Sequence, residues 1–237
     1  MADYDGVFFD IGGVLLDLPS VRTGYVTFLE RFAAEQGIDD TDRLVADWRD
    51  ALGSYFSGRE GTTYRTARPG YQRALDEAVG REVPEEEWFP LFAATTLESV
   101  QPADGAEEVV STLAETGHYL GVISDIDTWE AERILGKFGV LRHVDHVTTS
   151  EEVGRTKPDP AMFETALGKA PDALAPTRSL YVGDRYDHDM RGGSRAGFVT
   201  VAHGGSAAER AATDPDDAVD HVVADLRGLL DLAGARR

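Results

Sequence analysis

The chain has 237 residues, 43 of them acidic and 23 basic, for a net charge of −20 at pH 7. Such an excess repels nucleic acid and anionic membrane surfaces, so neither is expected as a partner. Cysteine is absent, which removes disulfides and thiolate metal sites, and no apolar run approaches the ~18 residues of a membrane span.

The first residues, Met1-Ala2-Asp3-Tyr4-Asp5, are acidic and lack a signal-peptide pattern. A soluble, cytoplasmic protein is the expectation. Among the basic residues only Lys137, Lys157 and Lys169 are lysine. Acidic surplus with scarce lysine points to a halophilic protein, because molar salt shortens the Debye length to about 3 Å and relieves self-repulsion.

Residues 7–16, Val-Phe-Phe-Asp-Ile-Gly-Gly-Val-Leu-Leu, open the pattern. Three apolar residues in a row read as a strand buried on both faces. Asp10 then stands where the strand ends. In an open α/β sheet that end faces the ligand crevice. An ordinary Asp-Gly turn is the plainer reading of this stretch alone.

Residues 18–98 read as four helices without strands. The first covers residues 21–36 and stops at Gly37. The second covers 41–56, the third follows Pro69 and ends near Gly80, and the fourth starts near Pro84 with Glu85, Glu86 and Glu87 in its first turn. Trp48, Tyr55, Tyr64 and Arg65 fit either a substrate pocket or the core of this helical unit. Aromatics at helical spacing favour the core.

From residue 100 strands and helices alternate. Asp104 with Glu107 makes a capping box for a helix ending at Gly117. Residues 119–124 form a strand, Asp127 with Glu130 caps the next helix, and a short strand covers 146–149. Asp159-Pro160 opens a further helix. Residues 179–183 make an apolar strand ending at Asp184, a helix leads to Gly197, and 198–202 is again strand. Residues 206–217 read as polar and loop-rich, and 221–223 as an edge strand before a last helix. The expected fold is α/β, a doubly wound parallel sheet of Rossmann-like type, with a small all-helical domain inserted. The expected boundaries are 1–17 and 99–237 for the sheet domain and 18–98 for the insert.

Four polar sites fall at strand ends or in the loops after them: Asp10, Ser124, Lys157 and the run from Asp184 to Asp189. Carboxylates gathered beside a lysine and a hydroxyl call for a counterion. All the candidate ligands are oxygen, so the expected ion is hard, Mg²⁺ in particular. A carboxylate nucleophile, a Mg²⁺ site, a hydroxyl and a lysine suit phosphoryl transfer through an aspartyl-phosphate. A lysine at position 157, in a chain that otherwise prefers arginine, agrees with a need for a compact ammonium.

On these residues the chain resembles the haloacid dehalogenase-like hydrolase superfamily, most of whose members are Mg²⁺-dependent phosphatases. The resemblance covers the opening strand and about residues 100–205, and the helical insert sits where that family carries a cap. It implies Asp10 as nucleophile and metal ligand, and Ser124 as a phosphoryl-binding hydroxyl. Lys157 would be the neutralising cation, Asp184 a direct metal ligand, and Asp189 a support for the metal or its waters. A small phosphorylated metabolite is the implied substrate. The family's phosphatases usually carry a second aspartate, a general acid, two residues after the nucleophile. Here that residue is Gly12, which keeps a backbone carbonyl for the metal but no proton. Asp125, Asp127 and His188 are possible substitutes. The departure leaves two alternatives, a near-inactive relative that binds metal and phosphate, and a 2-haloacid dehalogenase.

Overall fold

The structure is a computed structural model and describes residues 4–214 and 216–235. Its elements in chain order are β1 (Gly6–Phe9), α1 (Leu18–Gln36), α2 (Thr41–Ser57), α3 (Ala67–Val79), α4 (Glu85–Ser99), α5 (Ala106–Glu115), β2 (Tyr119–Ser124), α6 (Thr128–Lys137), β3 (His146–Thr149), α7 (Ser150–Val153), α8 (Pro160–Lys169), β4 (Ser179–Gly183), α9 (Arg191–Arg195), β5 (Val199–Ala202), α10 (Gly205–Thr213), β6 (His221–Val222) and α11 (Gly228–Leu232).

Six strands form one parallel sheet in the order β3-β2-β1-β4-β5-β6. The chain builds outward from β1 to one edge, then returns beside β1 and builds to the other. That reversal is the switch point at which such sheets open a crevice beyond their carboxyl ends. β1, between β2 and β4, is buried along its whole length, as its unbroken apolar run requires.

The sheet core depends on size matching across strands. Phe8 pairs with Gly121 on β2, and a methyl group at Gly121 would lie 2.3 Å from the Phe8 ring. The glycine makes room for that ring, which packs edge-on against Phe198 with centroids 5.0 Å apart. Burying such a ring contributes roughly 2–3 kcal/mol. Ile123, Met162, Phe163, Ala166 and Tyr181 complete this cluster.

The chain divides into two compact units, one holding the residues up to Asp17 and from Pro102 onward, the other Leu18–Gln101. The second unit is helical throughout, and its centre is aromatic. Phe28 meets Phe92 edge-on at 5.1 Å, Trp48 stacks on Tyr71 at 6.3 Å, and Trp88 donates Nε1 to Gln72 at 2.7 Å. Trp48 therefore belongs to this core. Tyr55 and Arg65 tie α2 to the segment before α3: Tyr55 donates its hydroxyl to the Thr66 carbonyl at 3.0 Å, and Arg65 donates to the Tyr55 carbonyl at 2.8 Å. Tyr64 is half-buried.

Several local expectations need correction. α1 begins at Leu18 rather than at residue 21, and α3 begins at Ala67, so Pro69 lies in its first turn, where its missing N–H removes no helical bond. Asp104 does not cap α5; Gly105 occupies the cap position and Asp104 pairs with Arg227 at 3.0 Å. Asp127 does precede α6, but its carboxylate accepts from the Trp129 indole at 3.3 Å, and Glu151 takes the Thr128 amide instead. The stretch 206–217 is largely α10, because Ala207, Ala208, Ala211 and Ala212 are strong helix formers and Arg210 reaches Asp214 at 2.8 Å. β5 starts at Val199 and β6 ends at Val222, one residue in from each expected limit.

Candidate active site

Asp10 occupies the first position beyond β1. Its amide still donates to the Val182 carbonyl on β4 at 2.9 Å, so the sheet fixes the backbone and leaves the side chain at the strand end. The carboxylate is buried, at 3% exposure. Its Oδ1 accepts from the Ile11 amide at 2.8 Å and from Lys157 Nζ at 3.0 Å. Among the described residues none donates to Oδ2. One oxygen is held by donors and, among the described residues, the other is not.

The chain then turns tightly through residues 11–16. Gly13 has φ 73°, and a methyl group there would lie 2.5 Å from Asp184 Oδ2. Glycine is required both for the left-handed backbone and for the approach of that carboxylate. Gly12 is not left-handed.

Asp184 follows β4, and a wide turn over residues 186–190 brings Asp189 back beside it. Gly183 makes this possible, since a methyl group there would fall 2.3 Å from Asp189 Cβ. The Arg185 amide donates to Asp189 Oδ2 at 2.9 Å. Tyr181 donates its hydroxyl to Asp189 Oδ1 at 3.0 Å, and Lys157 Nζ lies 2.6 Å from the same oxygen. Both Asp189 oxygens thus carry protein donors. Oxygens of Asp10, Asp184 and Asp189 lie within 4.8 Å of one another, and all three residues are buried.

Lys157 is fully buried. Besides the two carboxylates, its ammonium donates to the Ile123 carbonyl at 3.1 Å and to Tyr181 Oη at 2.9 Å. The peptide bond from Lys157 to Pro158 is cis. Ser124 ends β2, beside the strand carrying Asp10, and its side chain makes no protein hydrogen bond among the described residues.

The charges in this pocket oppose one another. Burial pushes Asp10 up, partly offset by Lys157. Burial, then Asp10 and Asp189, push Asp184 up to about 6. Burial would raise Asp189 too, but Lys157 and Arg185 outweigh it and hold that carboxyl below its usual range. Burial would lower Lys157, yet Asp10, Asp189 and Asp125 keep it above the ordinary lysine value. Tyr181 is driven well above the usual phenol range by burial and by Asp189, so it stays protonated as a donor. The acidic side of the site is under-compensated, and its donors are all oxygen. That is the setting a hard divalent cation suits, and the three carboxylates fit one.

The structure therefore gathers Asp10, Lys157, Asp184 and Asp189, with Ser124 on the next strand end and Gly12 in the turn after β1. Asp125 belongs to the same cluster in a role that residue type alone did not reveal. Its Oδ1 accepts from the Lys157 amide at 2.8 Å and from Ser150 Oγ at 2.9 Å. Its Oδ2 accepts from Arg185 at 2.7 Å. His188 Nδ1 lies 3.4 Å from Asp125 Oδ2 in a geometry too poor for a hydrogen bond. Asp127 is engaged with Trp129 at the head of α6. Tyr181 and Arg185 were not foreseen. The apolar strand pattern hides the first, and nothing periodic marks the second.

A family model described as haloacid dehalogenase-like hydrolase matches residues 4–197. The chain is 32% identical over 142 residues to a glyceraldehyde 3-phosphate phosphatase of Methanopyrus kandleri, spanning 58% of this chain and 59% of that relative. It is 29% identical over 244 residues to a ribulose-1,5-bisphosphate 5-phosphatase of Halopiger xanaduensis, covering 95% of this chain and 98% of the relative. Among solved structures, a HAD phosphatase from Thermococcus onnurineus superposes with TM-score 0.69 at 19% identity, over 98% of this chain and 99% of that one. An L-2-haloacid dehalogenase from Xanthobacter autotrophicus superposes with TM-score 0.66 at 18% identity, over 99% and 100%. The shared fold does not choose between the two chemistries. The residues of the site must.

Proposed function

The chain belongs to the haloacid dehalogenase-like hydrolase family, and we propose that it is a Mg²⁺-dependent phosphatase of small phosphorylated metabolites that works through an aspartyl-phosphate on Asp10. The observation that carries this reading is the Asp10 carboxylate, with Oδ1 held by Ile11 and Lys157 and Oδ2 accepting from no described residue. The phosphatase names of the relatives at 32% and 29% identity support it.

Asp10, Asp184 and the Gly12 carbonyl would hold Mg²⁺, with Asp189 supporting it through water because both its oxygens already take protein donors. The cation would supply charge neutralisation at the phosphoryl oxygens. Asp10 Oδ2 attacks phosphorus, the bond from phosphorus to the leaving oxygen breaks, and the phosphoryl group rests on Asp10. Water then attacks phosphorus, releasing inorganic phosphate and restoring the carboxylate. Lys157 neutralises Asp10 and then the transferring group, and the Ser124 hydroxyl donates to a phosphoryl oxygen. The helical unit Leu18–Gln101 would be the cap domain of the family. A dehalogenase would use the same aspartate on carbon, but it has no need for three buried carboxylates around one lysine.

The test is phosphate release from an aryl phosphate, with Mg²⁺ and with excess EDTA. Release that stops in EDTA and in Asp10→Asn supports the reading. Release that survives both defeats it.

A further inference from the structure

We propose that Tyr181 is a positioning residue for the transfer step: its hydroxyl gives the Lys157 ammonium a fourth oxygen, so that one N–H can leave Asp10 for a phosphoryl oxygen. The inference rests on the phosphatase reading above.

An ammonium has three N–H donors and no acceptor. Four oxygens stand around Lys157 Nζ: Asp189 Oδ1 at 2.6 Å, Tyr181 Oη at 2.9 Å, Asp10 Oδ1 at 3.0 Å and the Ile123 carbonyl at 3.1 Å. The order of protons is set by Tyr181. Its one O–H points at Asp189 Oδ1 at 3.0 Å, so a lone pair remains for Lys157. Four acceptors therefore share three protons, and one contact is always divided.

The contact to Asp10 is the one that can be given up. The other three oxygens belong to β2, to β4 and to an aspartate pinned by three donors, and together they satisfy all three N–H groups. Lys157 can turn one donor from Asp10 to an arriving phosphoryl oxygen without leaving a buried N–H unpaired. With phenylalanine at 181, three acceptors would meet three protons. Moving a donor would then break a filled bond in a water-poor site, which costs more than it does in solvent.

The hydroxyl is not needed to fill the core. The Tyr181 ring meets Phe163 edge-on at 5.3 Å and lies 5.9 Å from Phe198, contacts that phenylalanine reproduces. A fully buried phenol among such rings is costly unless its oxygen has partners. Here both partners belong to the chemistry.

The test is Tyr181→Phe, assayed for aryl-phosphate turnover and by NMR with ¹⁵N-labelled lysine. The chain has only three lysines, so the Lys157 ammonium signal is assigned by its loss in Lys157→Arg. The expected result is a kcat lower by about tenfold, the worth of one hydrogen bond, with KM changed by less than about twofold. The melting temperature should hold, and the Lys157 signal should shift. An unchanged kcat, or a loss of kcat with an unshifted Lys157 signal, overturns the proposal. Wild-type protein that releases no phosphate defeats the phosphatase reading instead, whatever the variant does.

Discussion

Arg185 donates to Asp125 Oδ2 at 2.7 Å, so one of the carboxylates that could stand in for the missing general acid is already committed to a guanidinium. Burial alone would raise Asp125, but Lys157 and Arg185, whose contacts with it are well formed, hold it below the usual carboxylate range. That favours the ionised form, which has no proton to lend. Gly12 is therefore not replaced by Asp125.

Leaving groups that depart as stable anions should then be favoured. A general acid is worth roughly 10²–10⁴-fold, and its absence is felt most by alkoxides. Aryl or acyl phosphates are expected to turn over much faster than alkyl phosphates. Gly12 is not left-handed, so its backbone accepts an aspartate. Gly12→Asp should raise alkyl-phosphate turnover more than aryl-phosphate turnover. Equal rates on both substrate types, unchanged in Gly12→Asp, would mean that another group supplies the proton.

Asp184 predicts a pH-dependent response to metal. Its pKa is about 6 in the fold, against about 3.9 in an unfolded chain. Because the folded value is raised, the stability linked to this group is present in full below about pH 4 and is lost as pH rises through 6. A cation offsets that loss by favouring the ionised form. Mg²⁺ should therefore raise the melting temperature more at pH 7 than at pH 5, and Asp184→Asn should flatten the difference. Differential scanning calorimetry in Mg²⁺ and in EDTA reads both, and an equal Mg²⁺ effect at the two pH values would argue against Asp184 as a ligand.

Lys157→Arg keeps the charge but not the shape. Four oxygens crowd one buried nitrogen, and a planar fork cannot replace a compact ammonium there. Activity should fall by about 10²–10³-fold, the usual loss for a preorganised charge at a reacting group. Near-normal kcat in this variant would remove Lys157 from the chemistry.

The net charge of −20 carries a separate expectation. If the acidic surface is an adaptation to salt, the melting temperature should climb steeply from low salt to molar KCl. A flat profile would end the halophilic reading and leave the enzymatic one standing.

The parts of the site that could be read in the chain are those written in one strand and its next residues. β1 and β4 are apolar runs that stop at Asp10 and Asp184, and Gly13 and Gly183 mark the turns that bring carboxylates close. What could not be read depends on partners far apart. Asp104 looked like a cap because Glu107 follows it at the right interval, but Arg227 arrives from 123 residues away and captures it. Tyr181 satisfies the pattern of a buried strand as well as any leucine does, so only the folded sheet shows its hydroxyl between Lys157 and Asp189. The run 206–217 looked polar because Ser206, Asp214, Asp216 and Asp217 flank four alanines that make the helix.

The central claim, a phosphoryl group carried on Asp10, is tested most directly by quenching the enzyme in acid during turnover of a ³²P-labelled aryl phosphate and mapping the label. The account predicts radioactivity on the peptide containing Asp10, dependent on Mg²⁺ and absent in Asp10→Asn. Steady turnover with no labelled Asp10, or label retained in Asp10→Asn, would contradict it.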